Sequence, residues 1–171
     1  MRRPIIPDSF TRQYIGTALW SSNDESDDSG GEPLDRNYDE DDITSETLAS
    51  MIQDAQDFQR DNAEMLLRAY ASGTYVGGQR YDASNAGHDL WLTRNRHGAG
   101  FWDRGLPKAV GEALSTAAHN MGEINLYVQR GRIYEEPSRP RAPRARKSKK
   151  SGNRRTSRPS RRKNTRGHSR R

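Results

Sequence analysis

The residue types able to do chemistry are concentrated in one stretch, Asn85 to Leu106, which holds two of the three Trp, two of the four His and four Gly. His88, Asp89, His97 and Asp103 suggest acid–base or metal chemistry. A metal site, however, needs three or four converging ligands, and the nine-residue step from His88 to His97 fits no standard helical ligand spacing. Nucleophilic hydrolysis needs an activated Ser on a special turn, and the chain has no G-x-S-x-G elbow. No catalytic residue, metal or cofactor is therefore assigned. A small hydrolase or metal site around His88, His97 and Asp103 is the enzymatic alternative, and it requires folding to gather those side chains. The structural alternative has Asp89 capping a turn and His88 bonding to backbone.

A second constellation overlaps the first. Arg94, Arg96, His97 and Arg104 surround the glycine-rich run His97-Gly98-Ala99-Gly100. Backbone amides of such a turn, backed by guanidinium groups, can hold a phosphate. Arg94, Arg96, His97, Gly98 and Arg104 are thus a candidate anion site, unless the arginines pair with carboxylates of the same body. No Lys-Ser/Thr follows the turn as in a P-loop, so nucleotide hydrolysis is not suggested.

The third feature is the charge partition. Residues 137–171 carry 16 Lys and Arg and no Asp or Glu, whereas the first 136 residues carry 13 basic and all 23 acidic side chains. A net charge of +6 thus divides into a +16 tail and a −10 body. The tail residues Arg139, Arg141, Arg144, Arg146, Lys147, Lys149, Lys150, Arg154, Arg155, Arg158, Arg161, Arg162 and Lys163 are expected to contact nucleic-acid phosphates, DNA or RNA, without sequence preference. No aromatic residue follows Tyr134, so the tail offers no stacking platform for bases.

The stretch Ala86-Gly87-His88-Asp89-Leu90-Trp91-Leu92-Thr93-Arg94-Asn95-Arg96-His97-Gly98-Ala99-Gly100-Phe101-Trp102-Asp103-Arg104-Gly105 resembles the hallmark AGHDFWLTRNxHGAGFWDRG of a family of small proteins found mainly in bacteriophages and prophages, with Leu90 in place of Phe. The similarity runs from Gln13 through the helix after Thr44 and on to Tyr134, leaving out the acidic insertion and the basic tail. The resemblance implies a phage origin. It implies no mechanism.

The elements that must position these residues are readable from spacing. Asp8 or Ser9 caps a helix to about Trp20 with Phe10, Tyr14, Ala18 and Leu19 on one stripe, so residues 1–22 supply an N-terminal helix. Residues 23–42 are expected to form an acidic flexible loop, because 10 acidic side chains crowd the run from Ser21 to Asp42. Residues 43–136 form the main body. Thr44 caps a second helix with Ile43 and Leu48 as a hydrophobic staple and Leu48, Ile52, Ala55 and Phe58 on its inner face. The pattern breaks at Asp61-Asn62, resumes through Met65, Leu66 and Ala69, and stops at Ser72-Gly73, with a loop at Gly77-Gly78. Ser84 is read as the cap of a helix carrying Ala86, Leu90 and Arg94 on one face, in preference to a hairpin. Gly98-Ala99-Gly100 then brings Phe101 and Trp102 onto the core. Pro107 opens a helix that Gly122 closes. Ile124 to Val128 and Arg132 to Tyr134 make a hairpin about Arg130-Gly131.

The fold expected is a small α+β domain, mostly helical, with a short C-terminal β-hairpin, an acidic disordered loop and a disordered basic tail at 137–171. Cysteine is absent, so disulfides and thiolate sites are excluded. No apolar run spans a membrane, and the start lacks a signal-type apolar region, so a cytoplasmic location without membrane contact is expected. The functional expectation is a non-enzymatic phage accessory protein that binds nucleic acid through its tail. The alternative is a host-protein interaction module using the acidic loop or the aromatic glycine-rich segment. The acidic loop and the basic tail can also attract each other within one chain.

Overall fold

The computed structural model describes residues 7–26 and 31–136. The basic tail and its 13 candidate phosphate-binding residues lie outside the described residues. What is described is a mixed α+β domain built from helices and three two-stranded antiparallel ribbons.

Helix α1, Ser9–Ser21, starts at Asp8, whose carboxylate accepts from the Thr11 amide at 2.8 Å. It buries Phe10, Tyr14, Ile15, Ala18 and Leu19. Gly16 sits at its outer face with nothing near the missing side chain, so it costs the helix only propensity.

The acidic stretch is a correction. Its described parts are folded: β1, Asn23–Asp24, pairs with β2, Glu32–Pro33, and two single 3-10 turns follow at Leu34–Arg36 and Glu40–Asp42. Leu34 is fully buried and pins the segment, its amide donating to the Ser22 carbonyl at 2.9 Å. Asp39 and Asp42 form a reciprocal capping box. The described acidic side chains thus lie on the outside of a segment held by Leu34, Tyr38 and Ile43.

Helix α2, Ser45–Asp61, is capped by Thr44. Its inner face is rotated slightly from the expected one: Thr47, Met51, Ala55 and Phe58 are buried, while Leu48 and Ile52 are half-buried at the flank. Asn62 separates it from α3, Ala63–Ala71, and Gly73 takes a positive φ of 74° just beyond. Gly77-Gly78 is the turn of a hairpin that the sequence pattern did not indicate, β3, Tyr75–Val76, with β4, Gln79–Arg80.

Helix α4, Ala83–Arg94, confirms the preference for a helix over a hairpin, but its cap is Asp82, in a capping box with Asn85, and not Ser84. Helix α5, Lys108–Met121, begins one residue later than expected, with Pro107 as its N-cap, and ends at Gly122 with φ 83°. The closing hairpin joins β5, Leu126–Gln129, to β6, Arg132–Glu135. Arg130 and Gly131 both have positive φ, 52° and 71°, as a type I′ turn demands.

Two packing features position the candidate site. Phe10, Phe58 and Phe101 stack in series with centroid spacings of 6.2 and 5.9 Å, joining α1, α2 and the turn after α4. Along the α1–α4 seam, Ser84 bonds to Gln13, His88 to Thr17 and Trp91 to Ser21, so the two helices run parallel in steps of about one turn, four and four residues on α1 against four and three on α4. Gly87 permits this approach: a Cβ there would fall on the Phe10 carbonyl oxygen.

Candidate functional site

The sequence-predicted residues fall into separate places. Arg94 is 6% exposed and spans the interior. Its guanidinium donates to Asp54 of α2 at 2.5 Å, to the Tyr14 hydroxyl of α1 at 2.7 Å and to the Gly122 carbonyl after α5 at 2.6 Å. Burial works against its charge, but Tyr14 and Asp54 hold it protonated beyond an ordinary arginine. Burial conversely pushes the Tyr14 hydroxyl up to about 12, so it keeps its proton. Arg96, at φ 57°, pairs with Glu123 at 2.8 Å on the surface.

Arg104 faces a third carboxylate. Its Nε donates to Asp89 Oδ1 at 2.8 Å with Nη2 in ion-pair contact at 2.7 Å, and Tyr81 donates its hydroxyl to Asp89 Oδ2 at 2.9 Å. Asp89 is fully buried. Burial raises its carboxyl to about 6, with Arg104 and Tyr81 pulling the other way, so at neutral pH it is still ionised. Burial and Asp89 together drive the Tyr81 hydroxyl upward, keeping it a donor.

The candidate anion site is therefore corrected. Arg94, Arg96 and Arg104 do not converge on the turn at His97 to Gly100; each is met by a carboxylate of the body. Gly98 is exposed with open space around it. Gly100 is required for room and not for a left-handed backbone: a Cβ there would collide with Thr93 Oγ1, which accepts the Phe101 amide at 3.1 Å. Asp103 accepts from the Gly100 amide at 3.0 Å. Of the two following aromatics only Phe101 enters the core; Trp102 is 47% exposed, correcting the expectation for both.

His88 and His97 line different clefts. His88 belongs to one of about 250 Å³, with Gln13, Ser84, Asn85, Asp89 and Arg104. Thr17 donates its hydroxyl proton to the Gln13 carbonyl at 2.7 Å, so the 3.0 Å contact to His88 needs a proton on Nδ1. This leaves Nε2 as an acceptor. Burial, with Arg104 nearby, lowers the His88 pKa, favouring the neutral ring, and Trp20 stacks on it at 5.9 Å. His88 thus bonds to a side chain and not to backbone, and Asp89 holds an ion pair and caps no turn. Ser84, in the same cleft, donates to Gln13 and not to His88.

His97 lines a larger cleft of about 610 Å³, walled by residues 21–23 and 125–128, with Glu25, Glu123 and Glu136 also lining it. Among the described residues no three His, Asp or Glu side chains gather as metal ligands. Nor is any described helix long and apolar enough to cross a membrane.

Tyr14, Thr17, Asp54 and Tyr81 are the partners that sequence reasoning missed. Two had a local signal of burial though not of partner: Tyr14 lies on the apolar stripe of its helix, and Tyr81, just before the Asp82 cap, is placed to fold inward. Compared with protein-family models, curated proteins and solved structures, the chain finds no match.

Proposed function

We propose that this chain is a non-enzymatic bacteriophage accessory protein, acting in the host cytoplasm, that binds nucleic acid without sequence preference through residues 137–171. The observation that carries the proposal is the charge partition: 16 basic and no acidic residues in that segment. A polycation gains affinity by releasing counterions from any phosphate backbone. The body's own cations support the division of labour, since Arg60, Arg68, Arg94, Arg96 and Arg104 are engaged by carboxylates of the same body. Those arginines are not a vacant phosphate grip.

The test compares the full chain with one in which Arg141, Arg144, Arg146, Lys147, Lys149, Lys150, Arg154 and Arg155 are changed to Gln. With about eight phosphates engaged, log K for duplex DNA should fall against log salt with a slope of about −7, and the variant, which keeps eight of the sixteen tail charges, should lose about half of that slope. Equal slopes for the two chains would refute the assignment. Scrambling the DNA sequence should leave affinity unchanged, because phosphate contacts carry no base information.

A further inference from the structure

The hydrogen-bond parity of the closing hairpin leaves one strand edge open. A two-residue turn at Arg130-Gly131 makes Gln129 and Arg132 a hydrogen-bonded pair, and such pairs alternate along the ladder. Tyr127–Tyr134 and Asn125–Glu136 are then the next bonded pairs, in agreement with the Glu136 amide donating to the Asn125 carbonyl at 2.8 Å. Ile133 and Glu135 must point their backbone groups away from β5. They do: the Ile133 carbonyl accepts the Thr44 amide at 3.0 Å, and the Glu135 amide donates to Thr47 Oγ1 at 3.1 Å. The start of α2 therefore covers the outer edge of β6.

By the same parity, Leu126 and Val128 turn their N–H and C=O groups to the outer edge of β5. No described residue pairs with them there; β1 approaches β5, but its ladder partner is β2. That edge forms a wall of the cleft of about 610 Å³. Glu25, Glu123 and Glu136 line the cleft and no Lys or Arg is among its described lining residues, although Arg96 just outside it pairs with Glu123. A row of free backbone donors and acceptors is a template for another strand, and acidic surroundings select for cationic side chains.

The geometry points to a peptide-docking site: β5 adds an extended, basic segment of a partner protein as a third strand along Leu126 to Val128. Charge complementarity with Glu25 and Glu136, the two glutamates of the cleft that no Lys or Arg of the body pairs with among the described residues, selects this occupant. Its described lining residues all precede residue 137, so it extends the function to a second kind of partner.

The test uses the full chain and a fluorescent hexapeptide of alternating Lys and Val. This probe should bind and slow hydrogen exchange at the Leu126 and Val128 amides. The same peptide N-methylated at every amide keeps its charge but cannot donate to a strand edge. It should bind more than about tenfold more weakly, the loss expected when backbone hydrogen bonds cannot form. Val128→Pro removes an outward N–H, together with some of the packing of the half-buried Val side chain, at an edge position where proline is tolerated, and should cause a similar loss while DNA affinity stays at the wild-type value. A Glu–Val peptide should not bind. Equal binding of parent and N-methylated probes would overturn the proposal, and that comparison needs no variant to fold. No binding of the parent probe would also overturn it. Protection of Leu126 and Val128 in the free chain would do so too, assigning the edge to a segment of the same chain or, if the protection grows with concentration, to a second copy.

Discussion

Arg94 and Arg104 come from one sequence motif, and the fold uses them in opposite ways. Arg94 reaches into the centre and links α1, α2 and the end of α5 through partners far apart in sequence. Arg104 lies at the edge of a cleft and closes a local clamp on Asp89, fifteen residues away. The comparison teaches that a cationic motif residue is a ligand candidate only if its own fold leaves it donors to spare. Arg94, with 7% of its side chain exposed, offers almost no face to a ligand; Arg104, with 19% exposed, still touches solvent.

Removing Arg94 should cause the largest effect. Arg94→Ala leaves Asp54 and Tyr14 facing a void and should destabilise the domain by about 3–5 kcal/mol in chemical denaturation. Arg94→Lys should recover only part of it, because one ammonium cannot span three diverging acceptors. A loss below about 1 kcal/mol would dissolve the distinction between the two arginines.

Arg104→Ala should cost less, about 2–3 kcal/mol at pH 7, because the abandoned Asp89 can take up a proton. Its penalty should shrink on acidification to pH 5, whereas that of Arg94→Ala should not. Equal pH dependence in both variants would show that Asp89 does not buffer the loss.

Asp89 gives the comparison a titration. Its ordinary value is 3.8 and the fold lifts it to about 6, so between those pH values the folded chain holds a proton that the unfolded chain has released. The stabilisation from this group is fully present below about pH 4 and is lost as pH rises through 6. Asp89→Asn removes the titration. The stability of wild type minus that of the variant should therefore fall between pH 4 and pH 7, by about 2–3 kcal/mol at ~1.4 kcal/mol per pKa unit. A rise over that range would mean that the Arg104 pair outweighs burial.

The smallest effect belongs to Arg96→Ala. Its pair with Glu123 is mostly exposed, and exposed pairs contribute about 0–1 kcal/mol. Thermal melting should barely move, provided that the replacement tolerates φ 57° at this position; Arg96→Gly separates backbone strain from the lost charge.

What was legible in the sequence is what is decided locally. Thr44 caps α2, Asn62 ends it, Gly122 ends α5 and Arg130-Gly131 turns the hairpin, because each is settled within a few residues. The same holds for the choice of a helix over Ala83–Arg94. Non-local pairings were not legible. Nothing near Arg94 announces Asp54, forty residues earlier, or Tyr14, eighty earlier, so the arginines read as a cluster when they are three separate pairs. Net charge also hid structure: ten carboxylates outweighed the single Leu34 that fixes the acidic segment. Trp91 and Trp102 look equivalent in sequence, but the first lies inside a helix seam and the second rides on a surface turn.

The parallel seam between α1 and α4 has a consequence in time. Its three rungs join residues 70 or 71 positions apart, so the first helix leaves the ribosome long before its partner exists. At about 5–20 residues per second, the apolar face of Phe10, Tyr14 and Ile15 waits on the order of 4–14 s for Ser84, His88 and Trp91 to be synthesised. The N-terminal helix, made first, is among the last to be secured. Destabilising its seam, as with Gly87→Val, should therefore lower the soluble yield during synthesis more than it lowers recovery on refolding the complete chain.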